Sequence, residues 1–286
     1  MNEEYADHQR QQSGSKHHDK VIVITGASTG IGRQVAVDFA KEGVRALAIV
    51  ARHRDRLNDV ASKIKDRCDC LIFECDVTDK AQVLSMAQNV LEKFGKIDVL
   101  VNNAGIGILG NVQDQTTEEI EAITSTNYLG MIYCTKAFLS SMLAKESGHI
   151  VNVASLAASF GIPGLAAYCG SKFAVLGFSE SLSHELHGSG VKVTVVSPIG
   201  VRTNFFDHQS FQNSNMRNRQ YSSLDVKVVS KAVIRASTSP RFEIVVPFFM
   251  RGAVWLKHTL PYVVNPIVGR SSRKVLQLNP DPLGED

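Results

Sequence analysis

A serine, a tyrosine and a lysine in this chain have the types and spacing needed for proton transfer at a carbonyl oxygen. They are Ser155, Tyr168 and Lys172. A Tyr and a Lys four residues apart on a helix share one face, which places the ammonium beside the phenol. A nearby cation favours phenolate, and lowering a phenol pKa of about 10 by about 3 units takes roughly 4 kcal/mol. Ser155 follows the apolar run 149–154 and is placed to hold a substrate oxygen. The alternative interpretation is a surface Tyr stacked on a Lys stem.

A glycine-rich turn follows the first predicted strand. The β-branched run Val21–Thr25 is typical of a buried parallel strand. Residues 26–32 read Gly-Ala-Ser-Thr-Gly-Ile-Gly and lead into a helical pattern. Strand, glycine-rich turn and helix N-terminus together form an element that binds the pyrophosphate of a dinucleotide. The glycine spacing is GxxxGxG rather than GxGxxG, and a plain loop is the alternative interpretation of such a turn alone.

Alternating strands and helices predict the elements that position these residues: a single-domain α/β fold with a doubly wound, Rossmann-like parallel sheet. The predicted strands are 21–25, 46–51, 71–75, 99–102, 149–154, 191–197 and 242–246. The predicted helices are 31–42, 54–66, 79–94, 116–145, 168–188 and 226–238. The carboxyl ends of parallel strands meet at one edge of a sheet, so we expect the motifs to collect along one wall.

Over residues 19 to 246 the sequence resembles the short-chain dehydrogenase/reductase family. The glycine-rich turn matches the cofactor signature of that family, and Asn102–Gly105 matches its Asn-Asn-Ala-Gly signature. Its catalytic tetrad corresponds in order and spacing to Asn127, Ser155, Tyr168 and Lys172. The resemblance implies that Ser155 and Tyr168 contact the substrate, and that Asn127 relays protons to Lys172 through a helix kink and water. A solvent-facing Asn127 is the alternative.

Each of these sequence motifs is expected to contribute residues that contact the cofactor. The residues are Gly26, Ser28, Thr29, Gly30, Ile31, Gly32, Arg33, Arg52, Asp76, Val77, Asn103, Ala104, Gly105, Tyr168, Lys172, Val201 and Thr203. The resemblance implies that Asp76 and Val77 contact the adenine of the cofactor, although Asp76 has an alternative role as the cap of a helix beginning at Asp79. The resemblance also implies that Val201 and Thr203 contact the carboxamide of the nicotinamide. In their segment, Ile199 replaces the usual glycine of the family.

The identity of the dinucleotide is predicted from the residues after the second strand. No acid stands at that strand end, where a carboxylate suits the free ribose hydroxyls of NAD. Arg52 offers a fork that suits a 2′-phosphate, and Arg33 lies close enough in sequence to assist. We therefore predict NADP(H) as the cofactor; two ordinary surface arginines are the alternative interpretation.

Composition excludes several other classes of function. The chain has 286 residues and a net charge of +3, with its cations scattered, which argues against nucleic acid as a partner. Its five cysteines lack metal-ligand spacing, so we expect no metal site, reduced thiols and a cytoplasmic location. The family resemblance implies a homodimer or homotetramer.

The ends of the chain are predicted separately from the catalytic domain. Residues 1–19 are predicted to be a disordered polar leader, 20–247 the dinucleotide-binding oxidoreductase domain, and 248–286 an apolar C-terminal extension. We expect the extension to pack on the pocket or at a subunit interface; peripheral membrane contact through 248–270 is the less favoured alternative. Residues 204–225 lack apolar periodicity and are predicted to form a mobile lid or binding loop.

These observations predict an NADP(H)-dependent oxidoreductase. It would transfer a hydride between the nicotinamide and a carbonyl or secondary alcohol, the apolar tail favouring a hydrophobic substrate such as a ketone, steroid or lipid-like molecule. The alternatives are a 3-oxoacyl-carrier-protein-type reductase and a non-catalytic NADP-binding redox sensor.

Overall fold

The computed structural model describes residues 16–212 and 224–276 and contains a seven-stranded sheet. All neighbouring strands pair in parallel, in the order β3-β2-β1-β4-β5-β6-β7. The strands are β1 (Val21–Thr25), β2 (Ala46–Ala51), β3 (Asp69–Glu74), β4 (Val99–Asn102), β5 (Gly148–Val153), β6 (Val191–Pro198) and β7 (Glu243–Val246). The predicted doubly wound, Rossmann-like single domain is confirmed.

Helices connect the strands and cover both faces of the sheet. They are α1 (Gly30–Lys41), α2 (Arg54–Ile64), α3 (Lys80–Phe94), α4 (Thr117–Thr124), α5 (Gly130–Ala144), α6 (Ala166–Glu185), α7 (Gln209–Gln212), α8 (Val226–Thr238), α9 (Met250–Thr259) and α10 (Pro261–Leu276). Short 3₁₀ turns occupy Leu156–Ala158 and Asn204–Asp207.

Strands β1 and β2 are apolar at almost every position because both faces of the sheet are buried there. In β1, Ile22 and Ile24 belong to one core cluster while Val21 and Val23 belong to the other. Successive side chains of a strand point to opposite faces, so a strand that is covered on both sides needs apolar residues at every position. This explains why continuous β-branched runs predicted the strands well.

The strand order reverses between β1 and β4. The chain winds from β1 outward to β3 and then crosses to β4 on the other side of β1. Ligands of open α/β sheets bind outside the carboxyl ends of the strands at such a reversal. The glycine-rich turn follows β1 and residues 103–105 follow β4, so both motifs flank this point.

The helix predicted over 116–145 is interrupted in the structure. A π-helical turn, Ser125–Leu129, separates α4 from α5. A capping box between Thr116 and Glu119 starts α4. Asn127 lies in the π-helical turn, and single π-turns inside α-helices frequently mark functional sites. The sequence predicted the helical span but not the extra residue in its hydrogen-bonding register.

Residues 16–19 belong to the folded domain rather than to the predicted polar leader. The His17 ring is buried, with Nε2 2.8 Å from Ser237 Oγ and its edge against Phe39 at 5.4 Å between centroids. His18 forms an isolated antiparallel bridge with Val44. Residues 1–15 of the predicted leader lie outside the described residues.

The C-terminal extension forms α9 and α10. Its outward side chains include several large apolar residues, and α9 contains no buried residue. Among the described residues, no helix has the length and apolar character needed to cross a membrane.

Candidate active site

The turn after β1 brings backbone atoms together closely. Gly26 and Gly30 have φ angles of 64° and 54°. A Cβ at Gly26 would lie 2.8 Å from Ala104 Cα, and one at Gly32 would lie 2.3 Å from the carbonyl oxygen of Gly26. Only glycine fits at such contacts, which leave the turn and the N-terminus of α1 open to an anion.

The turn after β4 is tied to the turn after β1 by hydrogen bonds. The backbone N–H groups of Asn103 and Ala104 donate to Thr25 Oγ1 at 3.0 and 3.1 Å. The Asn103 side-chain amide donates to the carbonyl oxygens of Thr25 and Gly26 at 3.0 and 3.2 Å. The Asn-Asn-Ala-Gly block therefore fixes the shape of the glycine-rich turn.

A cleft of about 400 Å³ runs along the carboxyl edge of the sheet. It is lined by the glycine-rich turn, the ends of β2 and β3, residues 103–107 and the segment after β6. The small residues, the backbone N–H groups of α1 and the length of the cleft fit a dinucleotide. Val201 is buried in the core instead of lining the cleft, whereas Thr203 lies over Gly30.

Cations gather at the β2 end of this cleft. Arg52 and His53 line it, as the sequence predicts for Arg52, and Arg56 from the first turn of α2 joins them. Arg33, expected to assist, instead pairs with Asp59, with Nη2 and Oδ2 3.4 Å apart. Sequence analysis missed Arg56, although its position four residues after Arg52 was the available signal.

Asp76 lines the cleft beside Val77 at the end of β3. Its Oδ1 accepts hydrogen bonds from the backbone N–H and hydroxyl of Thr78. The alternative role for Asp76 as a helix cap is wrong, because Asp79 itself caps α3 by accepting from the N–H groups of Ala81 and Gln82.

Ser155, Tyr168 and Lys172 meet behind the cleft. Ser155 follows β5, and Tyr168 and Lys172 lie one turn apart on α6, where both are buried. Ser155 lies beside Tyr168, and its Oγ accepts from the Ala157 N–H at 3.1 Å and donates to the Pro198 carbonyl oxygen at 3.5 Å. The Lys172 Nζ donates to the Val153 carbonyl oxygen at 3.2 Å and lies 5.8 Å from the centroid of the Tyr168 ring.

Asn127 is buried and connects three segments. Its Oδ1 accepts from the Ile106 N–H at 2.7 Å, and its Nδ2 donates to the Ile106 carbonyl at 2.9 Å and to Ser171 Oγ at 3.0 Å. A Cβ at Gly105 would lie 3.2 Å from Asn127 Oδ1 and 3.5 Å from Lys172 Nζ. The solvent-facing alternative for Asn127 is therefore wrong.

Burial is the main cause of the shifted pKa values of Tyr168 and Lys172. Desolvation raises the pKa of the Tyr168 phenol to about 12, against a lowering contribution from the hydrogen bond with Ser155. Desolvation also lowers the pKa of the Lys172 ammonium to about 8. The expectation that Lys172 lowers the Tyr168 pKa is not met, because Lys172 donates to a carbonyl and both groups are desolvated.

The aromatic ring of Phe205 lies between the cleft and Tyr168. Phe205 lines the cleft, and its ring meets Tyr168 edge to face with centroids 5.2 Å apart. Phe206 and Phe211 pack against Phe205 at 5.2 and 5.9 Å. These three residues lie in the segment predicted to be a lid without apolar periodicity. The remainder of that prediction, 213–223, lies outside the described residues.

The chain matches the family model described as short chain dehydrogenase over residues 20–214. The chain belongs to the short-chain dehydrogenase family. It is 33% identical to Short-chain dehydrogenase/reductase 3 of Homo sapiens over 242 residues, which cover 84% of this chain and 79% of that protein. It is 30% identical to Dehydrogenase/reductase SDR family protein 7-like of Anopheles gambiae over 282 residues, covering 93% of this chain and 87% of that protein.

Solved short-chain dehydrogenases share the fold. One from Burkholderia phymatum in complex with NAD has a TM-score of 0.77 and 27% identity, covering 94% of this chain and 99% of its own. A metagenomic short-chain oxidoreductase in complex with NADP has a TM-score of 0.69 and 28% identity, covering 79% of this chain and 96% of its own. The protein is thus an oxidoreductase of a family whose members bind NAD or NADP.

Proposed function

We propose that this short-chain dehydrogenase is an NADP(H)-dependent oxidoreductase that acts on the carbonyl or secondary alcohol of a hydrophobic substrate. The main support is the meeting of Ser155, Tyr168 and Lys172 beside a cleft that fits a dinucleotide. A protein that only sensed the cofactor would have no need for these three side chains together. The predicted contacts of Gly26–Gly32 and 103–105 with the cofactor belong to the same proposal.

Tyr168 acts as the proton donor. The bound nicotinamide supplies the hydride for reduction or takes it in oxidation. As charge develops on the substrate oxygen, the Tyr168 hydroxyl donates its proton to that oxygen; in the reverse direction the phenolate accepts it. With its pKa raised to about 12, Tyr168 is protonated at neutral pH and is able to donate this proton.

The neighbouring residues position this donor. The Ser155 hydroxyl, which lies beside the Tyr168 phenol, orients the substrate oxygen. Lys172 supplies a proton or a charge beside the phenol, since burial brings its pKa to about 8, close to neutrality. Asn127 is a positioning residue that holds the Ile106 backbone against Ser171 on α6.

The surroundings of Tyr168 support a hydrophobic substrate. The ring belongs to an apolar cluster that includes Ile108, Leu165, Phe206 and Phe211. A strongly polar substrate would lose its hydration there without finding hydrogen-bond partners. Ketones with an apolar or aromatic body fit this environment better than small hydroxy acids.

Turnover of a panel of apolar ketones, aldehydes and acyl thioesters by the wild type and Tyr168→Phe tests the reaction. We expect Tyr168→Phe to lower kcat by at least about 100-fold, because it removes the general acid. Cofactor affinity should stay within about twofold, since the phenol contributes little to binding. Tyr262→Phe is the matched control, because Tyr262 is 93% exposed outside the cleft.

Each outcome of that assay has a defined meaning. Normal turnover by Tyr168→Phe would contradict the proposed proton donor. Binding of NADPH without turnover of any substrate by the wild type would favour the redox sensor. A marked preference for acyl thioesters would favour the carrier-protein reductase.

The preference for NADP(H) is supported by the cations at the β2 end of the cleft. Arg52 and Arg56 line it, and no acid stands in residues 51–54. We expect Arg52→Asp and Arg56→Ala each to lower the NADPH/NADH affinity ratio by about 10-fold or more, because each removes a charged partner of the 2′-phosphate.

Arg33→Ala is the matched control for these arginines, since Arg33 is paired with Asp59. It should change the NADPH/NADH affinity ratio by less than about threefold. An unchanged ratio in Arg52→Asp and Arg56→Ala would contradict the cofactor preference but not the reaction.

A further inference from the structure

The C-terminal extension exposes an unusual amount of apolar surface. Phe248, Phe249 and Trp255 are 71%, 74% and 67% exposed. Together with the exposed residues Leu256, Val263 and Ile267 they form what we call the apolar extension face. Single exposed apolar residues are ordinary, whereas several in one short segment mark an interaction surface.

The apolar residues of α10 are only partly covered by the rest of the protein. In α10, Val263, Val264, Ile267 and Val268 lie on two adjacent columns of the helix, which together have the width of one apolar face. Val264 and Val268 are half-buried, while Val263 and Ile267 are exposed. Part of the apolar face of α10 is therefore left uncovered and is available to a partner.

The positive charge of residues 244–280 indicates the kind of partner that this face binds. Residues 244–280 contain no Asp or Glu but include Arg251, Lys257, Arg270, Arg273 and Lys274. Large apolar side chains interspersed with cations, without acids, are typical of helices that lie in the interface of an anionic bilayer. A symmetric contact between two copies of this face would instead bring like charges together.

We propose that the apolar extension face docks on the surface of an anionic lipid bilayer. The aromatic side chains enter the boundary between headgroups and acyl chains, and Arg251 and Arg270 contact the lipid phosphates. The described part of the extension contributes no residue to the lining of the cleft.

The docking surface adjoins the catalytic helix. Lys257 Nζ of α9 lies 5.5 Å from the centroid of the Phe173 ring, and Phe173 directly follows Lys172 on α6. A bilayer at this face would hold apolar substrates at high local concentration beside the domain. The docking itself does not require the proposed reaction, and it is measured without turnover.

Trp255 gives a direct probe because it is the only tryptophan in the chain. The full chain is mixed with vesicles of phosphatidylcholine and phosphatidylglycerol, and in parallel with vesicles of pure phosphatidylcholine. We expect a blue shift of Trp255 emission and quenching by brominated acyl chains with the anionic vesicles. Flotation should recover the protein with the same vesicles.

Variants separate the apolar contribution from the charged one. Phe248→Ser with Phe249→Ser should weaken vesicle binding by about 10-fold or more. Arg251→Gln with Arg270→Gln should weaken it by about 25-fold, from about fivefold for each cation. Leu84→Ser and Val228→Ser are controls on exposed apolar residues elsewhere, and should leave binding unchanged.

Three results would overturn the proposal. The first is Trp255 emission that is unmoved by anionic vesicles. The second is equal binding to both kinds of vesicle, unaffected by the Arg251 and Arg270 changes. The third is a change in assembly mass, measured by light scattering, when Phe248 and Phe249 are replaced while vesicles have no effect; that would assign the face to a subunit interface.

Discussion

The two ends of the cleft are lined by different kinds of groups. At the cofactor end, the walls are backbone atoms and glycines, held by hydrogen bonds between Asn103 and Thr25. At the end proposed to bind substrate, the wall is a group of phenylalanine rings, in which Phe206 meets Phe205 edge to face and Phe211 meets it at a tilt. Hydrogen bonds require fixed distances and angles, whereas ring contacts tolerate shifts and repacking. The cofactor end therefore has one shape, and the substrate end is able to adapt.

The same contrast explains the position of the catalytic residues. Tyr168 touches Phe205 on one side, and Lys172 lies beside Gly105, at the cofactor end, on the other. Asn127 links the two ends through the Ile106 backbone and Ser171. In the proposed reaction, substrate and cofactor meet at this junction, where α6 holds Tyr168 as the proposed proton donor.

Gly32→Ala tests the rigidity of the cofactor end and should have the largest effect. Its Cβ would lie 2.3 Å from the Gly26 carbonyl oxygen and 2.5 Å from Asn103 Nδ2, so the turn must change shape. We expect cofactor affinity, measured by fluorescence titration, to fall by about 100-fold, equivalent to about 3 kcal/mol at the upper end of overpacking costs.

Gly177→Ala is the matched control for this change. Gly177 lies within α6, and a Cβ there would meet nothing within 4 Å. Alanine should raise the free energy of unfolding by about 0.5–1 kcal/mol and leave cofactor affinity unchanged. Unaltered affinity in Gly32→Ala would mean that the turn does not determine how the cofactor binds.

The sequence predicted the cofactor end far better than the substrate end, for a physical reason. Strands β1 and β2 are continuous apolar runs, and the turn motifs follow β1 and β4 directly, so local patterns were sufficient. Phe205, Phe206 and Phe211 carry no strand or helix period, and the contact of Phe205 with Tyr168 depends on how the chain folds after β6. The sequence of this segment therefore predicts only a mobile lid or binding loop.

Burial was the other property that local patterns did not predict. The four-residue spacing correctly predicted that Tyr168 and Lys172 share one face of a helix. It gave no indication that both would be desolvated, which reverses the expected direction of the Tyr168 pKa. The family resemblance implied a helix kink at Asn127, but the residue pattern alone did not predict that this irregularity is a π-helical turn.

Lys172→Met tests how much the buried Lys172 ammonium destabilises the folded state. The Lys172 pKa is about 8 when folded, against 10.5 for an ordinary lysine. Between pH 8 and pH 10.5, Lys172 is protonated in the unfolded chain but not in the folded chain, so the stability of the wild type rises with pH. Below pH 8, Lys172 is charged in both states, and the folded state bears the full cost of burying the ammonium. The full penalty is about 3 kcal/mol, reduced by about 1 kcal/mol for the hydrogen bond to Val153.

We therefore expect Lys172→Met to raise the free energy of unfolding at pH 7 by about 2 kcal/mol while abolishing turnover. Urea unfolding between pH 7 and pH 10 measures the change, and the advantage of the variant should shrink as the pH rises above 8. Lys227→Met, at an exposed lysine of α8, is the control. Equal stability of Lys172→Met and wild type at every pH would show that the ammonium is not desolvated.

Phe205→Ala tests the adaptability of the substrate end and should have the smallest effect of the three. Removing the ring deletes an apolar contact for the substrate, so KM for aryl ketones should rise about 10-fold, while cofactor affinity should change less than about twofold. Water then reaches the Tyr168 phenol, whose raised pKa results mainly from desolvation, and the alkaline limb of the pH–rate profile should move to lower pH. Phe242→Ala, at an exposed phenylalanine outside the cleft, should change neither quantity. A cofactor affinity that falls as steeply as KM rises would instead mean that the aromatic wall supports both ends of the cleft, which would remove the distinction between them.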